Sequence, residues 1–111
     1  MNGADRYQQS AVRAWKIEAL SKRGMLKEAR KSLAESLSLA SEISQAGSRA
    51  EAMFMLFRAA RSIGRGSAED VFRKFSACCD GEHGHWRCKR AQRCMMEMLE
   101  GECTVWKFFH D

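Results

Sequence analysis

Apolar and polar residues alternate along this chain with a period of three to four positions, which is the period of an α-helix. The clearest case is the stretch 48–64, SRAEAMFMLFRAARSIG. At ~100° per residue, its apolar side chains cover most of the helix circumference. The polar side chains form one narrow strip of Glu51, Arg58, Arg61 and Ser62. A helix this apolar is normally covered on more than one side, so the pattern predicts a central, buried helix.

Local signals also mark the ends of this helix. Ser48 and Glu51 have the spacing of a capping box, in which each side chain accepts a hydrogen bond from the backbone N–H of the other residue. Gly64 suits the left-handed conformation that often closes a helix. The sequence therefore predicts a helix that begins at Ser48 and ends at Gly64.

The same period predicts four further helices. Their expected ranges are 2–23, with Asn2 or Asp5 as the cap, and then 25–45, 67–79 and 86–100. Ser67 and Asp70 repeat the capping-box spacing at the start of the fourth helix. The apolar stripe of the first helix comprises Tyr7, Ala11, Ala14, Trp15, Ile17 and Leu20. A single all-α domain of antiparallel helix pairs, spanning residues 1–111, follows from this series.

Composition supports the all-α class. The chain has no proline, and residues that favour helices dominate it. No stretch alternates with period two for long enough to predict a strand. A length of 111 residues fits one domain with a modest core.

Glycines divide the chain at intervals typical of helix-pair repeats. Gly24, Gly64 and Gly101 are separated by about 40 and 37 residues. The first unit resembles a tetratricopeptide repeat, and the matching residues are Trp15, Leu20, Gly24, Ala29 and Leu33. In the second unit, Gly66, Val71 and Phe75 hold the corresponding places. No proline closes either unit, which departs from the family.

This resemblance implies an α-solenoid-like stack whose concave face binds a peptide or a protein. A compact bundle of four or five helices is the alternative, since helix pairs joined by short loops also form that architecture.

Charge and targeting signals narrow the function classes. The net charge is +5, with acidic residues mixed among the basic ones. The first residues contain no apolar signal-peptide core, and the longest apolar runs are shorter than a membrane span. We therefore expect a cytoplasmic protein with no membrane partner, whose five cysteines are reduced.

One cluster has the residue types of a metal site. Cys79, His83, His85 and Cys88 supply two sulfurs and two imidazoles, the ligands that zinc prefers. The spacing matches no standard zinc finger, and solvated histidines with buried cysteines explain the same residues. A metal-binding or redox-responsive helical protein is the alternative function.

Basic residues crowd the start of the fifth helix, at Arg87, Lys89, Arg90 and Arg93. They suit an anionic partner, but no nucleic-acid motif accompanies them, and a solvated face explains them equally well. Nucleic acid is therefore not the expected partner. No nucleophile elbow, phosphate-binding loop or paired carboxylates are visible, so we expect no catalytic activity.

The leading hypothesis is a non-catalytic protein–protein interaction module, either an adaptor or a self-associating protein. A short stack of helices has more apolar side chains than it can readily bury, and the surplus would form the contact. The predicted contact residues are Phe54, Met55, Trp106, Phe108 and Phe109.

Overall fold

The computed structural model describes residues 3–79 and 86–101, without the side chains of residues 3–7 and 79. These ranges form five α-helices and no strand, so the all-α prediction is confirmed. The helices are α1 (Gly3–Lys22), α2 (Leu26–Ser41), α3 (Ala46–Ile63), α4 (Arg65–Cys79) and α5 (Trp86–Leu99).

The helices are arranged in two layers. Helix α3 contacts all four of the others, and it lies between α1 and α5, which do not contact each other. Helices α1, α3 and α5 therefore form one layer, the odd layer. Helices α2 and α4 form the even layer, on the other side of α3, with a small contact between them. Because α1 contacts neither α4 nor α5, the described helices form an open stack rather than a closed ring.

Helix directions follow from the connections and from side-chain contacts. The first four helices are joined by the short segments 23–25, 42–45 and 64, so each consecutive pair runs antiparallel. Helices α4 and α5 are also antiparallel. Gln92 of α5 donates a hydrogen bond to Ser76 near the end of α4, at 3.1 Å, and Arg65 at the start of α4 donates to the Leu99 carbonyl, at 2.6 Å. The three odd-layer helices therefore run parallel to one another.

Helix α3 is the core of the protein, as its pattern predicts. Leu56 and Phe57 are fully buried. The ring of Phe54 stacks on that of Phe57, with centroids 6.4 Å apart. The other buried residues of α3 are Ala50, Ala52, Met53, Ala59 and Ala60. Burying a Leu or Phe side chain contributes roughly 1.5–3 kcal/mol, so this helix supplies a large share of the hydrophobic stabilisation.

The predicted capping box at Ser48 is wrong. Helix α3 begins two residues earlier, because Gln45 takes the extended backbone of the N-cap position and Ser48 is already helical. The Ser48 hydroxyl donates to the Gln45 side-chain oxygen at 3.4 Å. Glu51 instead forms an ion pair with Arg87 of α5.

The predicted capping box at Ser67 also fails. Helix α4 begins at Arg65, so Ser67 lies inside its first turn. Asp70 pairs with Arg73, one turn further along the same helix.

Helix α2 ends at Ser41, four residues before the predicted end. Glu42 caps it and donates its N–H to the Leu39 carbonyl at 3.2 Å, and the N–H of Ile43 bonds to the Ala40 carbonyl at 3.1 Å. Ile43 nevertheless remains buried. A buried residue in the following loop therefore extended the apolar pattern beyond the helix.

Two of the three punctuating glycines have the conformation that favours glycine. Gly24 and Gly101 have φ of +80° and +85°, in the left-handed region. Gly64, predicted to be left-handed, instead has φ 163° and ψ 167°, which is extended backbone. It is the single residue between α3 and α4, and its extended backbone does not require a glycine.

The core assignment of α3 predicts the effect of a truncation. Phe57→Ala should lower the free energy of unfolding by about 3–5 kcal/mol, because it removes a fully buried ring and leaves a cavity. Urea unfolding followed by circular dichroism measures this change. The neighbouring Arg58→Ala is the control, since Arg58 is exposed, and it should change stability by less than about 0.5 kcal/mol. A Phe57→Ala cost below about 1 kcal/mol would contradict the central position of α3.

The glycine conformations predict a second contrast. A Cβ at Gly24 or at Gly64 would meet nothing within 4 Å, so neither substitution causes a clash. Gly24→Ala should lower the free energy of unfolding by about 1–2 kcal/mol, the cost of left-handed backbone. Gly64→Ala should leave it equal or raise it by about 0.4–1 kcal/mol, because alanine restricts the unfolded chain. Thermal and urea unfolding of both variants test this, and equal losses would refute it.

Candidate partner-binding surface

Only a narrow face of α3 remains open between its neighbours. Glu51 and Met55 are half-buried there, and Arg58 and Ser62 are exposed. Their spacing of four, three and four residues aligns them along one line of the helix. We refer to these four residues as the outer strip. It places an acid, a thioether, a guanidinium and a hydroxyl in sequence along the middle of the odd layer.

A network of charged and aromatic side chains links the outer strip to α5. Arg87 of α5 forms its ion pair with Glu51 of the strip. The Arg87 guanidinium also lies over the Trp86 ring, 5.1 Å from its centroid. Arg90 lies over the same ring at 4.9 Å. Trp86 is 56% exposed, yet this network holds its ring in place beside the strip.

The network positions Trp86 more than it stabilises the fold. The side chains of Arg87 and Glu51 are 41% and 27% exposed, so solvent screens their attraction. Each guanidinium–indole contact at such an exposed site contributes about 0.5–1 kcal/mol. Their main effect is to restrict the rotamers of a surface tryptophan, which lowers the entropy lost when a ligand contacts it.

A second exposed tryptophan lies on the other outer helix of the layer. Trp15 was expected in the apolar stripe of α1, but it is 73% exposed, and the prediction is wrong. The buried residues Ala14 and Ile17 lie on a different side of the helix. Leu20 lines the groove towards α2. Trp15 is about 140° around the helix from Leu20, so it points away from the even layer.

We refer to the outer strip together with Trp15 and Trp86 as the odd-layer face. Positive charge is concentrated in the helices that form it. Helices α1, α3 and α5 contain eleven basic and four acidic residues. Helices α2 and α4 contain six basic and four acidic ones. Arg58, in the middle of the face, makes no ion pair among the residues that the structure describes.

The predicted contact residues divide into three groups. The prediction for Phe54 is wrong, because its side chain is only 1% exposed and stacks on Phe57, so its ring has no surface for a partner. Met55 is half-buried on the outer strip. The remaining predicted contacts, Trp106, Phe108 and Phe109, lie outside the described residues.

Cys88 is the one predicted zinc ligand whose side chain the structure describes. Cys88 is buried, and its thiol lies 4.0 Å from the Ala46 carbonyl at the start of α3. The Cys79 side chain, His83 and His85 lie outside the described part of the chain. Within that part, no three metal-ligating side chains come together. The zinc site remains a prediction.

The expectation of five reduced cysteines fails at Cys94. This residue is disulfide-bonded, and its partner lies outside the described side chains. Cys78 and Cys88 are free thiols.

Two grooves lie away from the odd-layer face. One, of about 630 Å³, runs between α1 and α2, and charged side chains of both helices line it together with Val12 and Leu20. The other, of about 350 Å³, lies between the C-terminal halves of α2 and α4, with Met53 of α3 among its lining residues. The walls of this second groove are mostly apolar, which suits packing contacts more than chemistry.

Sequence reasoning missed Trp15 and Trp86 for different reasons. Trp15 is adjacent to Ala14 in sequence, and the predicted apolar stripe included both residues although neighbours lie ~100° apart on a helix. Trp86 did carry a usable signal, because basic residues surround it at Arg87, Lys89 and Arg90. A tryptophan among basic residues on one helix turn is expected at the surface, where guanidinium groups can stack on it.

None of the described helices is long and apolar enough to cross a membrane. Comparison with protein-family models, curated proteins and solved structures finds no match.

The contact between Glu51 and Arg87 predicts a measurable coupling. In a double-mutant cycle of Glu51→Ala and Arg87→Ala, the coupling free energy should be about 0.5–1 kcal/mol and should fall as salt is added. Urea unfolding of the four proteins measures it. Arg65 and Glu69, exposed and one turn apart on α4, form the matched control, with an expected coupling of about 0.3–0.5 kcal/mol. A Glu51–Arg87 coupling near zero would show that this ion pair does not stabilise the protein in solution.

Proposed function

We propose that this protein is a non-catalytic protein–protein interaction module of tetratricopeptide-like type, and that the odd-layer face is its binding surface. One observation carries the proposal. An open layer of three parallel helices presents two exposed tryptophans, one on each side of a strip whose arginine makes no ion pair with a described residue.

The chemistry of the face is that of a binding surface. Tryptophan and arginine are enriched in protein interfaces, where they contribute more binding energy than other residues. Trp15 and Trp86 expose large aromatic surfaces that α1 and α5 do not need for their own packing. Singly exposed apolar residues are common on proteins, but two tryptophans on one face of one layer favour a partner.

The arrangement of the helices is also what the resemblance to tetratricopeptide repeats implies. In such stacks equivalent helices of successive pairs lie side by side, and the stack presents an extended binding surface. Here α1, α3 and α5 hold the positions of the first helices, and α2 and α4 hold those of the second helices. Self-association through the same face is a second form of the same function.

Site-specific photocrosslinking tests the proposal. A photoreactive phenylalanine analogue is placed at Met55 on the outer strip, or at Arg30 on the exposed side of α2 as the control. Irradiation in lysate of the source cells should give a discrete protein adduct from position 55 and none from position 30. The mass of the adduct separates a foreign partner from a second copy of this chain. Absence of an adduct at position 55, or equal adducts at both positions, would refute the proposed surface.

A further inference from the structure

We propose that the odd-layer face binds an acidic peptide segment that carries an apolar anchor residue. Arg58 pairs with a carboxylate of the segment, and Trp86 contacts the anchor. This inference rests on the proposed function and adds the chemical class of the partner.

The distribution of charge supports an acidic partner. The odd-layer helices have seven more basic than acidic residues, whereas the even-layer helices have two more. The whole chain has a net charge of only +5, so the excess of basic residues lies mainly in the odd-layer helices. An excess of positive charge attracts a ligand of opposite sign.

Arg58 is the residue of the outer strip best placed to bind a carboxylate. It is exposed in the middle of the outer strip and makes no ion pair with a described residue. A guanidinium offers paired N–H donors that match the two oxygens of a carboxylate. The neighbouring Glu51 is already paired with Arg87, which reduces its repulsion of an incoming acid.

The apolar anchor follows from Trp86 and Met55. Trp86 is exposed but held in position by Arg87 and Arg90, so a side chain that contacts it meets a rigid surface. Met55 adds a flexible apolar group on the strip, and a thioether adapts to partners of different shape. A purely acidic ligand would leave both groups unused.

The same observations argue against nucleic acid. A phosphate backbone repeats its charge at every step, whereas the strip alternates an acid, an apolar group and a base. This alternation suits a peptide whose side chains differ from one position to the next.

The length of the strip sets the size of the ligand. Glu51 and Ser62 are eleven positions apart on α3, which corresponds to ~16 Å at the helical rise. An extended peptide covers that distance with about five residues. A probe of about ten residues therefore spans the face with residues to spare.

Fluorescence anisotropy with defined peptides tests the inference. The probe is a fluorescein-labelled peptide of about ten residues, all glutamate except for one central phenylalanine. It should bind the wild-type protein, more weakly as salt is added. Arg58→Glu should weaken binding about tenfold, a loss typical of a charge pair at an interface. Arg30→Glu makes the same charge change at an exposed position of the even layer, and it should change affinity less than about twofold.

A second comparison isolates the anchor. Trp86→Ala should weaken the phenylalanine-containing probe but leave an all-glutamate probe of the same length nearly unchanged. Trp86→Phe should restore part of the loss, which a general structural defect would not allow. Circular dichroism confirms that each variant is folded.

Three outcomes would overturn the inference. If Arg30→Glu weakens binding as much as Arg58→Glu, only net charge is being measured. If the Trp86 variants affect both peptides equally, there is no anchor site. If a thymidine oligonucleotide of similar length binds more tightly and loses affinity with Arg58→Glu, the ligand is nucleic acid. A protein adduct at Met55 without selective binding of the acidic probe would leave the interaction function standing and reject only the ligand class.

Discussion

The burial of α3 by four neighbouring helices is the constraint on which the rest of the structure depends. Its alanines let neighbouring backbones approach closely, and its larger apolar residues fill the space between the two layers. Because so much of its circumference is covered, only the outer strip and the neighbouring Arg61 reach solvent between residues 50 and 62. The surface available for function is therefore narrow, and every residue on it is held by a helix that cannot move without disrupting the core.

The sequence is enough to predict the burial of α3, but not the features that depend on contacts between helices. The period of α3 was enough to predict its burial, since an almost entirely apolar circumference leaves no other stable position. The start of α3 was not predictable, because Glu51 had two competing uses. Its spacing from Ser48 favours a local cap, but its partner is Arg87, thirty-six residues further along the chain. A local motif cannot show that a distant helix offers a better partner.

The candidate surface shows the same limit. Periodicity identifies which side of a helix is apolar, but not which helices cover that side. Phe54 was expected to contact a partner and is buried because α3 has neighbours on several sides, whereas Trp15 was expected in the core and is exposed because α1 has fewer. The segregation of charge was equally invisible in the sequence. It emerges only when the helices are sorted into layers, because acidic and basic residues are mixed along the chain.

Rigidity connects the fold to the proposed role. A surface that binds a flexible segment must compensate for the entropy that the segment loses, and it does so best when its own side chains are already ordered. Glu51 and Arg87 join α3 to α5 at the point where Trp86 stands, so the aromatic surface is fixed by the same contact that fixes the spacing of the two helices. Arg58 has no such partner among the residues that the structure describes. The face thus combines a fixed aromatic group with an available charge, and this difference between neighbouring residues is what a selective binding surface requires.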